Sequence, residues 1–321
     1  MKRIATILVF LSICNFAVAQ SLDMRLGVKA GLRGVQADNE WVSEGSGFYG
    51  DRFCLYLNGT LNEHFSYSMR HSLNKGMEYK ELFQATDWLY LKYKADNGWY
   101  VSGGKVWMEY GSYEYDGDPI NIYFYGMSNG TFNCFLPGAG FGKYLNDGKD
   151  ILSLQATRSP YCAYGDNGMF SYNFSWRGDH GWYKPLFSFN ALQMGKKTYE
   201  YHLALGNRIE KGPLLVEFDL IDKFLDGKYG FWDNTSVILN TQYRFSDKFQ
   251  VVAKYTADCE VLLDKGFRQL GAACEYYPIP DVRVFAFCQG NFGRNDKYYG
   301  VIGGETAFGA GVVWYINLIN K

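Results

Sequence analysis

The stretch Leu22 to Gly34, LDMRLGVKAGLRG, changes polarity at every step. Leu22, Met24, Leu26, Val28, Ala30 and Leu32 share one parity, and Asp23, Arg25, Gly27, Lys29, Gly31 and Arg33 share the other. A period of two is a strand with one dry face and one wet face. The pattern recurs in sixteen segments: 22–34, 48–61, 65–74, 85–95, 99–107, 134–145, 150–158, 169–177, 183–192, 199–210, 214–222, 234–245, 249–257, 267–277, 282–291 and 305–318. Most exceed the usual strand of a soluble sheet and approach the ~9 to 11 residues that cross a bilayer at a tilt.

The connections carry the next constraint. Short turns fall at 62–64, 96–98, 146–149, 178–181, 211–213, 246–248 and 278–281, and longer segments at 35–47, 75–84, 108–133, 159–168, 193–198, 223–233, 258–266 and 292–304. Short turns at one end and long loops at the other are the signature of an outer-membrane barrel; a secreted soluble sandwich has no reason to keep that rhythm. Phe65, Trp99 with Tyr100, Tyr144, Trp182 with Tyr183, Phe245 with Phe249, and Tyr276 with Tyr277 flank the short turns, and we read them as the periplasmic aromatic girdle. The last segment alternates with Phe308, Ala310, Val312, Trp314, Ile316 and Leu318 outward. An open sheet edge in lipid would leave backbone groups unsatisfied, so the last strand is expected to pair with the first.

Lys2 and Arg3 precede an apolar run that ends at Ala17-Val18-Ala19, which reads as a signal peptide over residues 1–19, cut before Gln20; a lipid-modified Cys14 is the alternative. Removing it leaves 30 Lys and Arg against 33 Asp and Glu, a formal charge of −3, with no call for a nucleic-acid partner. Residues 20–321 show no break in composition and are read as one domain. No later apolar run reaches the roughly 18 residues of a spanning helix. Aromatic residues make up 18% of the chain, with 27 Tyr, as suits many strands and interfacial rings. Six cysteines remain after cleavage, scattered and without a CxxC pair, so zinc and redox motifs are unsupported; a bridge between Cys134 and Cys162 stays open.

At residues 89–126 the strand "YLKYK", the "GGK" after the next turn and the "EYDGDPINIYF" that follows resemble the porin family that includes the phosphate-selective porins O and P. The resemblance implies a transmembrane antiparallel β-barrel of 16 strands, usually a homotrimer in the bacterial outer membrane, with the third external loop folded into the lumen. Independently, the longest loop counted is the third, 108–133.

Parity points Arg25, Lys29, Arg33, Arg52, Arg70, Lys92 and Lys94 into the lumen from the first four strands, against Asp23 alone. Such a wall raises the local population of small anions. Glu200, Glu217 and Asp219 point inward beside Arg208, Arg244 and Lys254 on later strands, and the third loop carries Glu109, Glu114, Asp116 and Asp118. Facing rows of opposite charge orient polar solutes instead of selecting one sign, which leaves open a solvated wall that selects by size alone, a weak anion preference, and a sugar or other specific solute.

Catalytic chemistry is not written here. His71 and Ser72 are adjacent on a strand and therefore face opposite sides. The "GAGFGK" of Gly138 to Lys143 imitates a phosphate-binding loop, with Pro137 where a Gly is required and no Ser or Thr after the Lys. Pro137 and Pro185 fall within strands six and nine, where either can shift a boundary by a few residues, and the sequons at Asn58 and Asn234 are read as coincidence. No cofactor or metal site is expected. The expected function is passive diffusion of small hydrophilic solutes or anions through a lipid-embedded porin. The alternative is a non-conducting assembly barrel of a secretion or surface-display machine.

Overall fold

The computed structural model describes residues 20–321 apart from 39, 76–81, 163–167, 226 and 262–263; the expected signal peptide, with Cys14, lies outside the described residues. The strands are β1 (Ser21–Ala37), β2 (Glu40–Thr60), β3 (Phe65–Ser72), β4 (Thr86–Lys94), β5 (Trp99–Trp107), β6 (Phe135–Leu145), β7 (Asp150–Arg158), β8 (Phe170–Gly178), β9 (Tyr183–Gln193), β10 (Tyr199–Lys211), β11 (Leu214–Leu225), β12 (Tyr229–Ser246), β13 (Phe249–Cys259), β14 (Gly266–Ile279), β15 (Val282–Asn295), β16 (Val301–Ile302) and β17 (Glu305–Asn320). Neighbours in sequence pair antiparallel. β17 pairs with β15 on one side and with β1 on the other, running from Asp23 opposite Asn320 to Ala37 opposite Glu305. The wall therefore closes as a 16-stranded antiparallel barrel, with β16 a short addition hydrogen-bonded to the end of β15. Closure satisfies every backbone edge that lipid could not.

The faces alternate as the period of two requires. Leu91, Val101, Leu154, Leu270 and Ile316 are exposed on the outside, Leu154 at 58%. An apolar band on that scale is a liability in water and suits a lipid surround. Inside, β8 buries Ser171, Asn173 and Ser175, and β14 buries Gln269, Ala273 and Glu275.

Three features bear on the sequence expectations, and the second agrees with them. First, β2 begins at Glu40 instead of 48, and Ala37 pairs with Glu40, so most of the expected first long loop, 35–47, is strand. Gly45 and Gly47 lie at positive φ within it, where the irregular backbone erases the alternation that would have revealed the strand. β11 and β12 similarly extend to Leu225 and from Tyr229, shortening the loop expected over 223–233.

Second, both prolines remain within strands because each sits where a neighbouring ladder stops. Pro137 pairs with Lys105 of β5, while pairing to β7 starts at Gly138; Pro185 pairs with Asn207 of β10, while pairing to β8 ends at Leu186. A residue without an N–H is tolerated at such a ladder end.

Third, the aromatic row at the short turns is divided between the two faces. Trp99 stacks on Phe141 outside at 4.8 Å, and Phe65 meets Tyr93 at 5.0 Å. Tyr100, Tyr144 and Tyr277 turn inward: Tyr144 accepts from Lys92 Nζ at 2.7 Å, Tyr277 donates to Glu275 at 2.7 Å, and Tyr100 bonds Ser153. Two adjacent aromatics on one strand cannot share a face. The six cysteines are free thiols, Cys134 and Cys162 included.

Candidate functional site: the lumen and segment 108–134

The connection between β5 and β6 leaves the wall and bonds to its inward face on all sides. It departs at Glu109, whose N–H donates to Gln155 of β7 at 3.0 Å and whose carbonyl accepts from Asn190 of β9 at 2.7 Å. Gly111 then lies so close to β9 and β10 that an added Cβ would fall 2.3 Å from the Ala204 carbonyl and 2.4 Å from the Ser188 nitrogen. Only glycine allows that approach. Its N–H donates to Ser188 Oγ at 2.7 Å.

Ser112 starts a one-turn helix, Tyr113–Asp116, and Asp219 of β11 holds its open end. The Asp219 carboxylate accepts from Ser112 Oγ at 2.7 Å and from the Tyr113 and Glu114 N–H groups at 2.9 and 3.0 Å. Those backbone donors have no partner inside the helix, and a carboxylate matches their partial positive charge.

The chain then runs round the wall. Asp116 is gripped by Arg177 of β8 at 2.9 Å. Asp118 accepts from Arg70 of β3 at 3.0 Å and from the Tyr56 hydroxyl of β2 at 2.8 Å. The Ile120 carbonyl accepts from Arg283 of β15 at 3.2 Å, and the Ile122 carbonyl from Lys29 of β1 at 2.7 Å. Tyr123 donates to Glu275 of β14, and the Phe124 carbonyl accepts from Lys254 of β13 at 2.7 Å. Asp258 of β13 accepts from the Met127 and Ser128 N–H groups at 2.9 and 3.2 Å.

Apolar packing completes the attachment. Met108, Tyr110 and Tyr115 form a buried cluster with inward Leu136, Leu192, Ile221 and Ile238, and Ile120 packs with Ala273, Phe285, Phe287 and Val313. The interior is thus partly a core, unlike the uniformly polar lumen of a wide channel.

Open space remains around this segment. One cavity, about 590 Å³, lies between residues 113–124 and the wall of β10 to β15 with β17, and reaches the Pro280–Asp281 turn. A second, about 180 Å³, lies towards β4, β5 and β8 and includes Lys92, Glu109 and Arg177. A third, about 220 Å³, is lined by Arg52, Arg70 and Lys75. Glu114 and Gly117 line both the first and the third.

Parity placed the basic residues on the inward side, and their surroundings sort them into two groups. Lys29 and Arg70 are buried struts: Lys29 also pairs with Asp51 at 3.0 Å, and Arg70 with Asp87 at 2.8 Å. The others are less committed. Arg52 lies 3.6 Å from Asp51, Arg25 stands 5.0 Å from the Tyr56 and Tyr315 rings, Lys92 sits over Tyr100 at 4.0 Å and Lys94 over Tyr144 at 4.5 Å. Arg25 and Arg33 each bury an Nε without a hydrogen-bond partner among the described residues.

On the segment, Glu114 pairs with Lys254, Asp116 and Asp118 with arginines, and Glu109 accepts from Ser175 at 3.1 Å. Arg177, Arg283, Glu275, Asp258 and Asp87 were not singled out from sequence. Carrying parity through β8 and β13 to β15 would have found most of them, whereas Asp87 sits at a register shift between β3 and β4 that parity misses.

Residues 22–202 match the family described as phosphate-selective porin O and P. The chain belongs to that family. It is accordingly a porin, a passive channel of the bacterial outer membrane. Among solved structures, this porin is similar to the anion-selective porin from Comamonas acidovorans at a TM-score of 0.63 and 11% identity, over 92% of this chain and 99% of that one. The outer membrane channel DcaP of Acinetobacter baumannii gives 0.62 and 12%, over 93% and 97%. The trimer form of OmpT, an outer membrane protein of Vibrio cholerae, gives 0.61 and 15%, over 92% and 99%. At these identities the likeness is one of fold. No curated protein sequence matches the porin described here.

Proposed function

We propose that the protein lets small hydrophilic solutes diffuse through a lumen narrowed by segment 108–134, with a weak anion preference, and that it is a channel and not an enzyme. The observation that carries this reading is the set of bonds tying one segment to opposite walls while about 590 Å³ stays open beside it. Arg25, Arg33, Lys92 and Lys94 supply the anion lean, since none has a carboxylate within salt-bridge distance among the described residues. Lys29, Arg52 and Arg70, beside Asp51 and Asp87, add little to it. Glu109, Glu114, Asp116 and Asp118 oppose it, which keeps it weak.

The protein works as a homotrimer surrounded by outer-membrane lipid. The trimeric neighbour supports this, as does an outward groove of small residues at the β1–β17 seam, Ala30, Gly31, Ala310 and Gly311, beside the 93%-exposed Phe48. Cross-linking of detergent-purified protein should yield a trimeric mass.

Single-channel recording in a planar bilayer under a salt gradient tests the function. Stepwise conductance with a reversal potential leaning modestly towards anions is expected. A cation lean would transfer control to the four acidic residues of the segment, and absence of conductance would return the assembly-barrel alternative, which family membership does not favour.

A further inference from the structure

Most of the charges around the cavity of about 590 Å³ satisfy one another; Arg244 and Asp281, at its short-turn end, have no ion pair among the described residues. Arg208 bonds Glu217 at 2.9 Å, Arg283 pairs with Glu275 at 3.3 Å, Lys254 pairs with Glu114, and Asp116 and Asp118 are held by Arg177 and Arg70. Asp219 accepts three hydrogen bonds from the segment. Beyond Arg244, between the segment and the wall, an ion would have to displace a carboxylate or a guanidinium from its partner. What the cavity offers instead is amides and rings. Asn121 on the segment and Gln242 on β12 both line it, and neither side chain is hydrogen-bonded among the described residues. Tyr113, Tyr123, Tyr277 and Tyr315 supply aromatic surface around them.

Free amides each present both a donor and acceptor sites. Aromatic rings present apolar faces to C–H groups. A molecule that uses both, carries no charge and fits a space within the ~300 to 1,000 Å³ of ligand sites is a neutral polyhydroxylated one. Resting on the porin reading above, we propose that this cavity is a binding subsite for neutral saccharides of two to three rings, with Asn121 and Gln242 hydrogen-bonding their hydroxyls from opposite sides. The subsite makes passage of such solutes saturable while small ions move past as through a simple hole.

The test is ion-current block in a planar bilayer by maltose and maltotriose, compared with a polyethylene glycol of matching size and with inorganic phosphate. Maltotriose should reduce the current saturably, whereas the glycol reduces it only in proportion to concentration. The Asn121→Ala, Gln242→Ala double variant should raise the half-blocking concentration by about tenfold or more, the loss of one or two net hydrogen bonds. Gln242→Glu, which keeps the side-chain size but adds a charge, should weaken block in the same direction. Open channels on which maltotriose acts no differently from the glycol, or on which only phosphate blocks saturably, would overturn the saccharide subsite and leave the porin standing. Absence of channels in the unmodified protein would overturn both.

Discussion

At the residue scale, Gly111 and Glu109 show how a single position governs the lumen. Gly111 admits the segment to within contact of two strand backbones, which a methyl group would forbid. Gly111→Ala is therefore expected to lift the start of the segment off β9, raising single-channel conductance and its noise and lowering the thermal midpoint in detergent by a few degrees. Conductance and midpoint equal to those of the unmodified protein would show that the close approach is unimportant. Glu109 lies outside the spanning strands, and desolvation holds its carboxyl above the ordinary glutamate range against the opposing pull of Arg177 and Ser175. A raised value means that Glu109 loses its charge at a higher pH than an ordinary glutamate. Folding favours its neutral form, so its contribution to stability is fully present below the ordinary range and is lost as pH rises through the raised value. Lowering pH from about 7 to about 5 should move the reversal potential towards anions, and Glu109→Gln should remove that part of the change.

At the element scale, the segment and the wall hold each other through buried ion pairs. Arg70 touches Asp87 of β4 and Asp118 of the segment at once, and all but nothing of its side chain is exposed. Removing one partner of a buried pair costs about 3 to 5 kcal/mol, because the remaining charges are left without compensation. Arg70→Ala should accordingly destabilise the barrel by that order in thermal or denaturant unfolding, with Asp87→Asn, Asp118→Asn in the same background restoring much of the loss. The strands were legible because lipid on one side and water on the other impose a period of two from Leu22 to Leu318. Legibility ended where the backbone ceased to be regular: the Gly45 and Gly47 kinks concealed the first part of β2, and the register shift beside Asp87 concealed a partner of Arg70. The path of segment 108–134 has no period at all. Its course depends on which inward cations lie opposite Glu114, Asp116 and Asp118, and spacing along one chain does not reveal what faces it across a lumen.

At the scale of the whole molecule, closure depends on β17. Its loss would leave β1 and β15 with unpaired edges in lipid, where each orphaned backbone group costs several kcal/mol. A chain ending at residue 304 should therefore fail to give the heat-modifiable, compact band that folded barrels show on unboiled gels, and recovery of that band would argue against closure as the source of integrity.

The same seam sets an order of events. Segment 108–134 finds its partners on strands from β1 to β15, nearly the full length of the chain apart, and contacts between such distant residues form late because a long loop must be closed first. The segment cannot take its final course until the two ends of the chain have met. The bore of the channel is thus shaped last, after its wall is complete, by a piece of chain that was synthesised in the first half of the protein and has to wait for the second.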